Sequence, residues 1–338
     1  MKKYITSLLT AVFLMTALFG ATVHASAAAD EKLNIVATIF PLYDFSRAIA
    51  GDKAEVTMLL KPGAEIHSFD PSPADIIKIQ NADVFLYVGG ESDVWVDEIL
   101  SSMDISNKQI IRLMDAVTLV NEETVEGMQE EEEHHHEGEA AEDGQDHEDE
   151  DADDDHEHEE AEYDEHIWTS PKNAVQMVNA IADAMMAADE ANKDTYKENA
   201  DAYTTKIQAV DQAFEAVVSQ AAHHMLVFGD RFPFRYFADA YKLEYRAAFP
   251  GCSTETEASA ATLAYLIDTV KAQGLPYIYT IELSNGNIAR SISEQTGAQV
   301  LTLQSCQGIS RDAFDAGETY VTLMEQNVEA LKKGLVSP

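Results

Sequence analysis

The stretch KDTYKENADAYTTKIQAVDQAFEAVVS, Lys193 to Ser219, places Tyr196, Ala200, Tyr203, Ile207, Val210, Phe214 and Val217 at alternating steps of four and three. That spacing belongs to a helix with one buried stripe and a solvated back. At 1.5 Å per residue it would run about 40 Å, as long as a whole domain. A helix of that length in mid-chain reads as a rigid backbone joining two lobes.

On its N-terminal side, strand and helix alternate. Lys32 to Phe40 is a β-branched apolar run stopping at Pro41, and Leu42 to Ala50 reads as a helix closed by Gly51. Ala54 to Leu60 and Ala82 to Val88 read as strands. Ser72-Pro73-Ala74-Asp75 starts a helix with an N-cap residue and a first-turn proline, and a further helix contains Trp95. Beyond Ser219 the alternation returns, with strands at Met225–Phe228, Glu244–Phe249, Pro276–Glu282 and Gln299–Leu303 and a last helix from Ala316 to Leu335. The expected fold is α/β, two lobes each built on a mostly parallel sheet flanked by helices and joined by the long helix. The boundaries are a signal peptide over 1–29, an N-terminal lobe over 30–188, the joining helix over 189–220 and a C-terminal lobe over 221–338.

The N-terminal lobe contains an acidic loop, 122–165. From Glu130 to His166, 22 residues are Asp or Glu and seven are His. Such a segment has too few apolar groups to offset the entropy of ordering, but imidazole and carboxylate together hold divalent cations loosely. Setting its 22 charges aside, the formal charge of -39 becomes -17, that of an ordinary acidic protein. Nucleic acid and anionic membrane are poor partners for it, since both need clustered Lys and Arg. A cation suits it better.

Lys2 and Lys3, the apolar stretch Ile5 to Val23 and the small residues Ala25-Ser26-Ala27 read as a secretory signal, with the mature chain beginning between Ala28 and Asp30. An uncleaved anchor is the alternative. Export places the protein in the periplasm or on the cell surface. In such an oxidising compartment the two cysteines, Cys252 and Cys306, suggest one disulfide worth roughly 4 kcal/mol, with two free buried thiols as the other reading.

His67 lies in a loop leaving a strand, where open α/β sheets place their ligands. His166 ends the acidic run just before Ile167-Trp168, where apolar residues return. Together they make a two-imidazole half-site, to which tetrahedral zinc adds two more ligands. The C-terminal candidates are Asp230 and, in reserve, Glu282, each at a strand end; either could instead pair with Arg231 or cap a helix. His223 and His224 precede a strand, at its opposite end from Asp230, and read as surface residues. Neither a phosphate-binding loop nor a nucleophile elbow is present.

Ile39-Phe40-Pro41-Leu42-Tyr43, Gly63 to Pro73, Gly89-Gly90-Glu91 with Trp95, Asp164 to Trp168 and Tyr236 to Tyr241 together resemble the zinc and manganese substrate-binding proteins of ABC importers, the ZnuA/TroA-like family. The resemblance covers nearly the whole mature chain. It implies metal bound between two lobes, with His67 and His166 at the positions of the first two ligands. The third position, His or Glu in the family, falls on Arg231, one residue from Asp230. The fourth, usually Asp, falls within Leu303 to Gln307, which contains no carboxylate.

The function so implied is capture of zinc, or of manganese, outside the cell as transported ligand for an ABC permease with its cytoplasmic ATPase. The receptor would be a monomer and not an enzyme, and binding across the cleft would favour its closed form. The competing readings are a metal buffer or adhesin whose working part is the acidic run, and a zinc hydrolase with Glu65 as general base.

Overall fold

Leu33–Ala37 forms β1, buried almost throughout as the central strand of a parallel sheet must be. The strand stops there and not at Pro41. Helix α1 (Phe40–Ala50) takes Pro41 into its first turn, where a missing N–H costs nothing. Then come β2 (Ala54–Met58), α2 (Pro73–Asn81), β3 (Val84–Tyr87), α3 (Val94–Ser101) and β4 (Gln109–Arg112). Ser72 caps α2 in a reciprocal pair with Asp75. The four strands lie in the order β2-β1-β3-β4, all parallel, with Ile35 level with Val56 on one side and Val84 on the other.

The computed structural model describes residues 32–65, 67, 69–128, 162–254 and 257–337. The expected signal peptide, and the acidic run as far as residue 161, lie outside the described residues. The run's ends are held together: Asn121 and Tyr163 form an antiparallel bridge, and the Glu122 N–H donates to the Glu162 carbonyl at 2.8 Å.

After the run come α4 (Pro171–Ala188) and α5 (Lys193–Ser219), the expected long helix. All seven of its periodic apolar residues are buried. The second sheet comprises β5 (Met225–Arg231), β6 (Glu244–Phe249), β7 (Tyr277–Ile281) and β8 (Gln299–Leu303). Its helices are α6 (Arg235–Tyr241), α7 (Ala260–Gln273), α8 (Asn287–Thr296), α9 (Arg311–Asp315) and α10 (Tyr320–Val336). Its strand order is β6-β5-β7-β8, again parallel, so the two sheets share one topology although the halves show no convincing sequence repeat. One core runs through both lobes, from β1 and α1 across α4 and α5 to α10. Smaller apolar clusters, one around Val36 and Phe85 and one around Leu266 and Ile278, complete the sheets.

The expected disulfide is absent: Cys252 and Cys306 are free thiols. Topology explains it. Cys252 follows β6 and Cys306 follows β8, the opposite edges of the sheet. Three strand spacings separate those edges by roughly 14 Å, against the 4.4–6.8 Å between Cα atoms that a disulfide spans. Cys306 is fully buried in a left-handed backbone conformation, φ 61°, its thiol toward the Gln304 carbonyl at 3.8 Å.

Candidate metal centre

In the N-terminal lobe the loops after β2, β3 and β4 leave the same edge of the sheet, and they deliver His67, Ser92 and the pair Glu165-His166 to one place. The ligand atoms of His67, Glu165 and His166 all lie within 4.8 Å of one another, and the two imidazole centroids are 5.9 Å apart. All three side chains are buried.

Hydrogen bonds fix which nitrogen of each ring is available. Asp164 Oδ1 accepts from the His166 backbone N–H at 2.8 Å and meets His166 Nδ1 at 3.2 Å. A carboxylate only accepts, so Nδ1 carries a proton, and Nε2 is the nitrogen that holds the lone pair whenever the ring is neutral. That Nε2 is buried without a hydrogen-bond partner. Ser92 gives its one hydroxyl proton to Glu165 Oε1 and so can only accept from His67 Nδ1, 3.0 Å away. His67 Nε2 is then also the lone-pair nitrogen, and the Gln307 side-chain amide donates to it at 3.1 Å. The arrangement presents two neutral-type nitrogens and a carboxylate, a donor set that suits zinc.

Local backbone explains the crowding. His166 (φ -80°, ψ 45°) is the centre of an inverse γ-turn in which the Ile167 N–H donates to the Glu165 carbonyl at 2.8 Å. The kink lets consecutive side chains face one space. Glu165 also accepts from the Ser92 N–H at 3.0 Å, and it presses on Gly90, where a Cβ would come within 2.9 Å of its Oε2. Asp93 holds the turn beneath by accepting from the Val88 and Gly89 N–H groups at 2.8 and 3.0 Å.

The charges differ between the two rings. Burial, then the positive charges of His166 and Arg231, push His67 down to about 3, so it is neutral and ready to coordinate. Burial also pulls on His166, but Asp164, with Glu165 and Glu122, outweighs it and the net shift is upward. A cavity of about 670 Å³ opens onto His67 and Ser92, walled by Glu91, Glu122, Glu162 and Cys252.

His67 and His166 thus come together as expected, whereas Asp230 and Glu282 stand apart from them. Asp230 accepts from the Thr280 hydroxyl at 2.7 Å and from the Arg231 N–H at 3.0 Å. Glu282 accepts from the Ser305 N–H and hydroxyl at 2.5 and 2.6 Å. Burial raises the Glu282 carboxyl above its ordinary range despite these bonds. Arg231 forms an ion pair with Glu65 and donates to the Ser253 carbonyl at 3.2 Å. Sequence reading missed Glu165, whose only signal was its place beside His166.

Two parallel sheets of like topology, with two imidazoles and a carboxylate gathered where the lobes meet, define a two-lobed α/β protein with a metal-type site between its lobes. The chain belongs to the ZnuA family, zinc-uptake complex component A, periplasmic, whose model matches residues 35–334. It is 34% identical over 322 residues to the zinc-binding lipoprotein AdcA of Streptococcus pneumoniae, a match covering 94% of this chain and 59% of that one. It therefore spans little more than half the length of that relative. It is 31% identical over 330 residues to the high-affinity zinc uptake system protein ZnuA of Bacillus subtilis, covering 97% and 96% of the two chains. The crystal structure of the Zn(II)-bound ZnuA-like domain of Streptococcus pneumoniae AdcA matches with a TM-score of 0.70 at 30% identity, over 90% of this chain and all of that one.

Proposed function

We propose that this protein is the extracytoplasmic receptor of an ABC importer, capturing zinc, with manganese the alternative cargo, and passing it to a membrane permease driven by a cytoplasmic ATPase. The observation that carries the reading is the convergence of His67, Glu165 and His166, with His166 Nε2 buried and unpartnered. A buried polar atom left without a partner costs about 1–3 kcal/mol, a cost that a bound cation removes. The names of the relatives support zinc as cargo, and two imidazoles favour zinc over manganese on ligand softness. We read the protein as a monomeric binding protein and not an enzyme. Glu65, the residue that would have to act as general base, is ion-paired to Arg231.

The test is zinc titration against a chelating dye, with Glu130 to Asp155 deleted so that loose sites do not contribute. One tight equivalent is expected, weakened by orders of magnitude in His67→Ala and in His166→Ala. If both variants keep the parent affinity, the site is elsewhere and the reading fails.

A further inference from the structure

We propose that the Cys252 thiol supplies the fourth ligand to the ion held by His67, Glu165 and His166. The inference rests on the metal-receptor reading above and names the group that completes it from the C-terminal lobe. The three clustered donors all come from N-terminal loops, and four-coordinate zinc requires one more. Four observations point to Cys252.

First, the loop after β6 lies directly on the site. Gly251 packs so closely on His166 that a Cβ there would stand 2.9 Å from the ring's Cε1 and 3.1 Å from Nδ1. Second, the next residue turns into the metal cavity: Cys252 lines it together with His67 and Ser92, and its backbone N–H is anchored on Glu122 Oε1 at 3.3 Å. Third, Cys252 is a free, half-buried thiol. The other C-terminal candidates are occupied, Asp230 by Thr280 and the Arg231 N–H, Glu282 by Ser305. Fourth, His166 Nε2 is buried with no hydrogen-bond partner at the ring against which this loop packs. The sulfur stands outside the 4.8 Å group, so ligation requires the Cys252 side chain or its loop to move toward the ion.

The chemistry balances. A free thiol, with an ordinary pKa of about 8.5, carries its proton at neutral pH. A divalent cation reverses that preference, so the S–H bond breaks, a sulfur–metal bond forms and the proton leaves to solvent. A soft thiolate favours zinc over manganese, which gives Cys252 a part in choosing the ion.

Cobalt(II) serves as the spectroscopic probe on the full chain. The cobalt-loaded protein should show a thiolate-to-cobalt charge-transfer band in the near ultraviolet, lost in Cys252→Ser and kept in Cys306→Ser. Zinc affinity of Cys252→Ser should fall by at least the ~10- to 100-fold that losing a supporting partner of a metal ligand costs. Stoichiometric zinc should also protect Cys252 of the unmutated protein from alkylation, read by peptide mass spectrometry, so the test survives a misfolded variant. One cobalt bound per chain with no thiolate band, or Cys252 alkylated equally fast with and without zinc, overturns the proposal and leaves the receptor reading standing. No tight binding of zinc or cobalt at all overturns both.

Discussion

Asp164 is not one of the three clustered donors, yet it decides what His166 can do. Its one carboxylate oxygen holds both the backbone and the ring of His166, so it sets the tautomer as well as the orientation. Asp164→Ala should therefore lower zinc affinity by ~10- to 100-fold with the fold intact, read by chelator competition beside circular dichroism. Unchanged affinity would show that Asp164 supports the turn only. Asp93 makes a pH prediction. Burial, eased by its hydrogen bonds from Gly89 and Val88, pushes it up to about 7. A carboxyl that holds its proton more tightly folded than unfolded loses stability as pH rises from about 4 to about 7, by at most ~4 kcal/mol. Urea unfolding should show that decline, and Asp93→Asn should flatten it; an equal slope in both proteins would assign the decline to other groups. The sequence made His67 and His166 legible because one sits in a strand-exit loop and the other where apolar residues return. It hid Glu165, because neighbours in extended chain face opposite ways and only the γ-turn at His166 aims both inward. Asp230 and Glu282 looked available because Thr280 and Ser305, which engage them, lie some 50 and 23 residues away in the chain.

The elements were more readable than the site. The helix over Lys193–Ser219 was legible because its stripe is long and regular, and a regular stripe has one physical solution. Strand β4 escaped because Gln109-Ile110-Ile111-Arg112 is four residues with polar ends, too short for alternation to show. What locks the elements to one another is also not periodic. Asp44 on α1 accepts from the Tyr203 hydroxyl of α5 at 2.5 Å and from the Tyr320 N–H at the start of α10 at 2.9 Å. One carboxylate thus joins three helices and sits where the dipole of α10 favours negative charge. Asp44→Ala strands both donors in the interior and should cost about 2–4 kcal/mol in denaturant unfolding. A loss within experimental error would mean that water replaces the carboxylate. A second test lies at the contact of α10 with β7, where a Cβ on Gly334 would come within 1.8 Å of the Tyr279 hydroxyl. Alanine is the better helix former, yet Gly334→Ala should destabilise by ~1–3 kcal/mol because the ring has to move. A stabilised variant would show that Tyr279 yields freely.

At the scale of the molecule the question is whether the lobes wait for metal before they close. The expectation from the sequence was a cleft shut by the ion. The bonds between the lobes argue otherwise, because most of them involve no metal ligand. The Gly63 N–H donates to the Ile309 carbonyl at 2.8 Å, and Trp168 Nε1 to the Ser305 carbonyl at 2.8 Å. The Tyr236 hydroxyl donates to the Asp164 carbonyl at 2.8 Å, and Arg231 pairs with Glu65. The shared core is continuous beneath them. A ligand shifts a conformational equilibrium only by its differential affinity for the two states. Here the lobes are already bonded to each other, so binding energy is expected to go into stability and not into movement. At free zinc a hundredfold above Kd the linkage gain is ~2.7 kcal/mol, which for a chain of this size raises the melting temperature by roughly 3–8 °C. Calorimetry should record that rise, while small-angle scattering gives the same radius of gyration for the metal-free and zinc-loaded protein. Both measurements use the chain with Glu130 to Asp155 removed; the bridge between Asn121 and Tyr163 keeps the loop ends in place. A clear compaction on adding zinc would show that the ties between the lobes break without metal, and the cleft would then be one that the ion shuts.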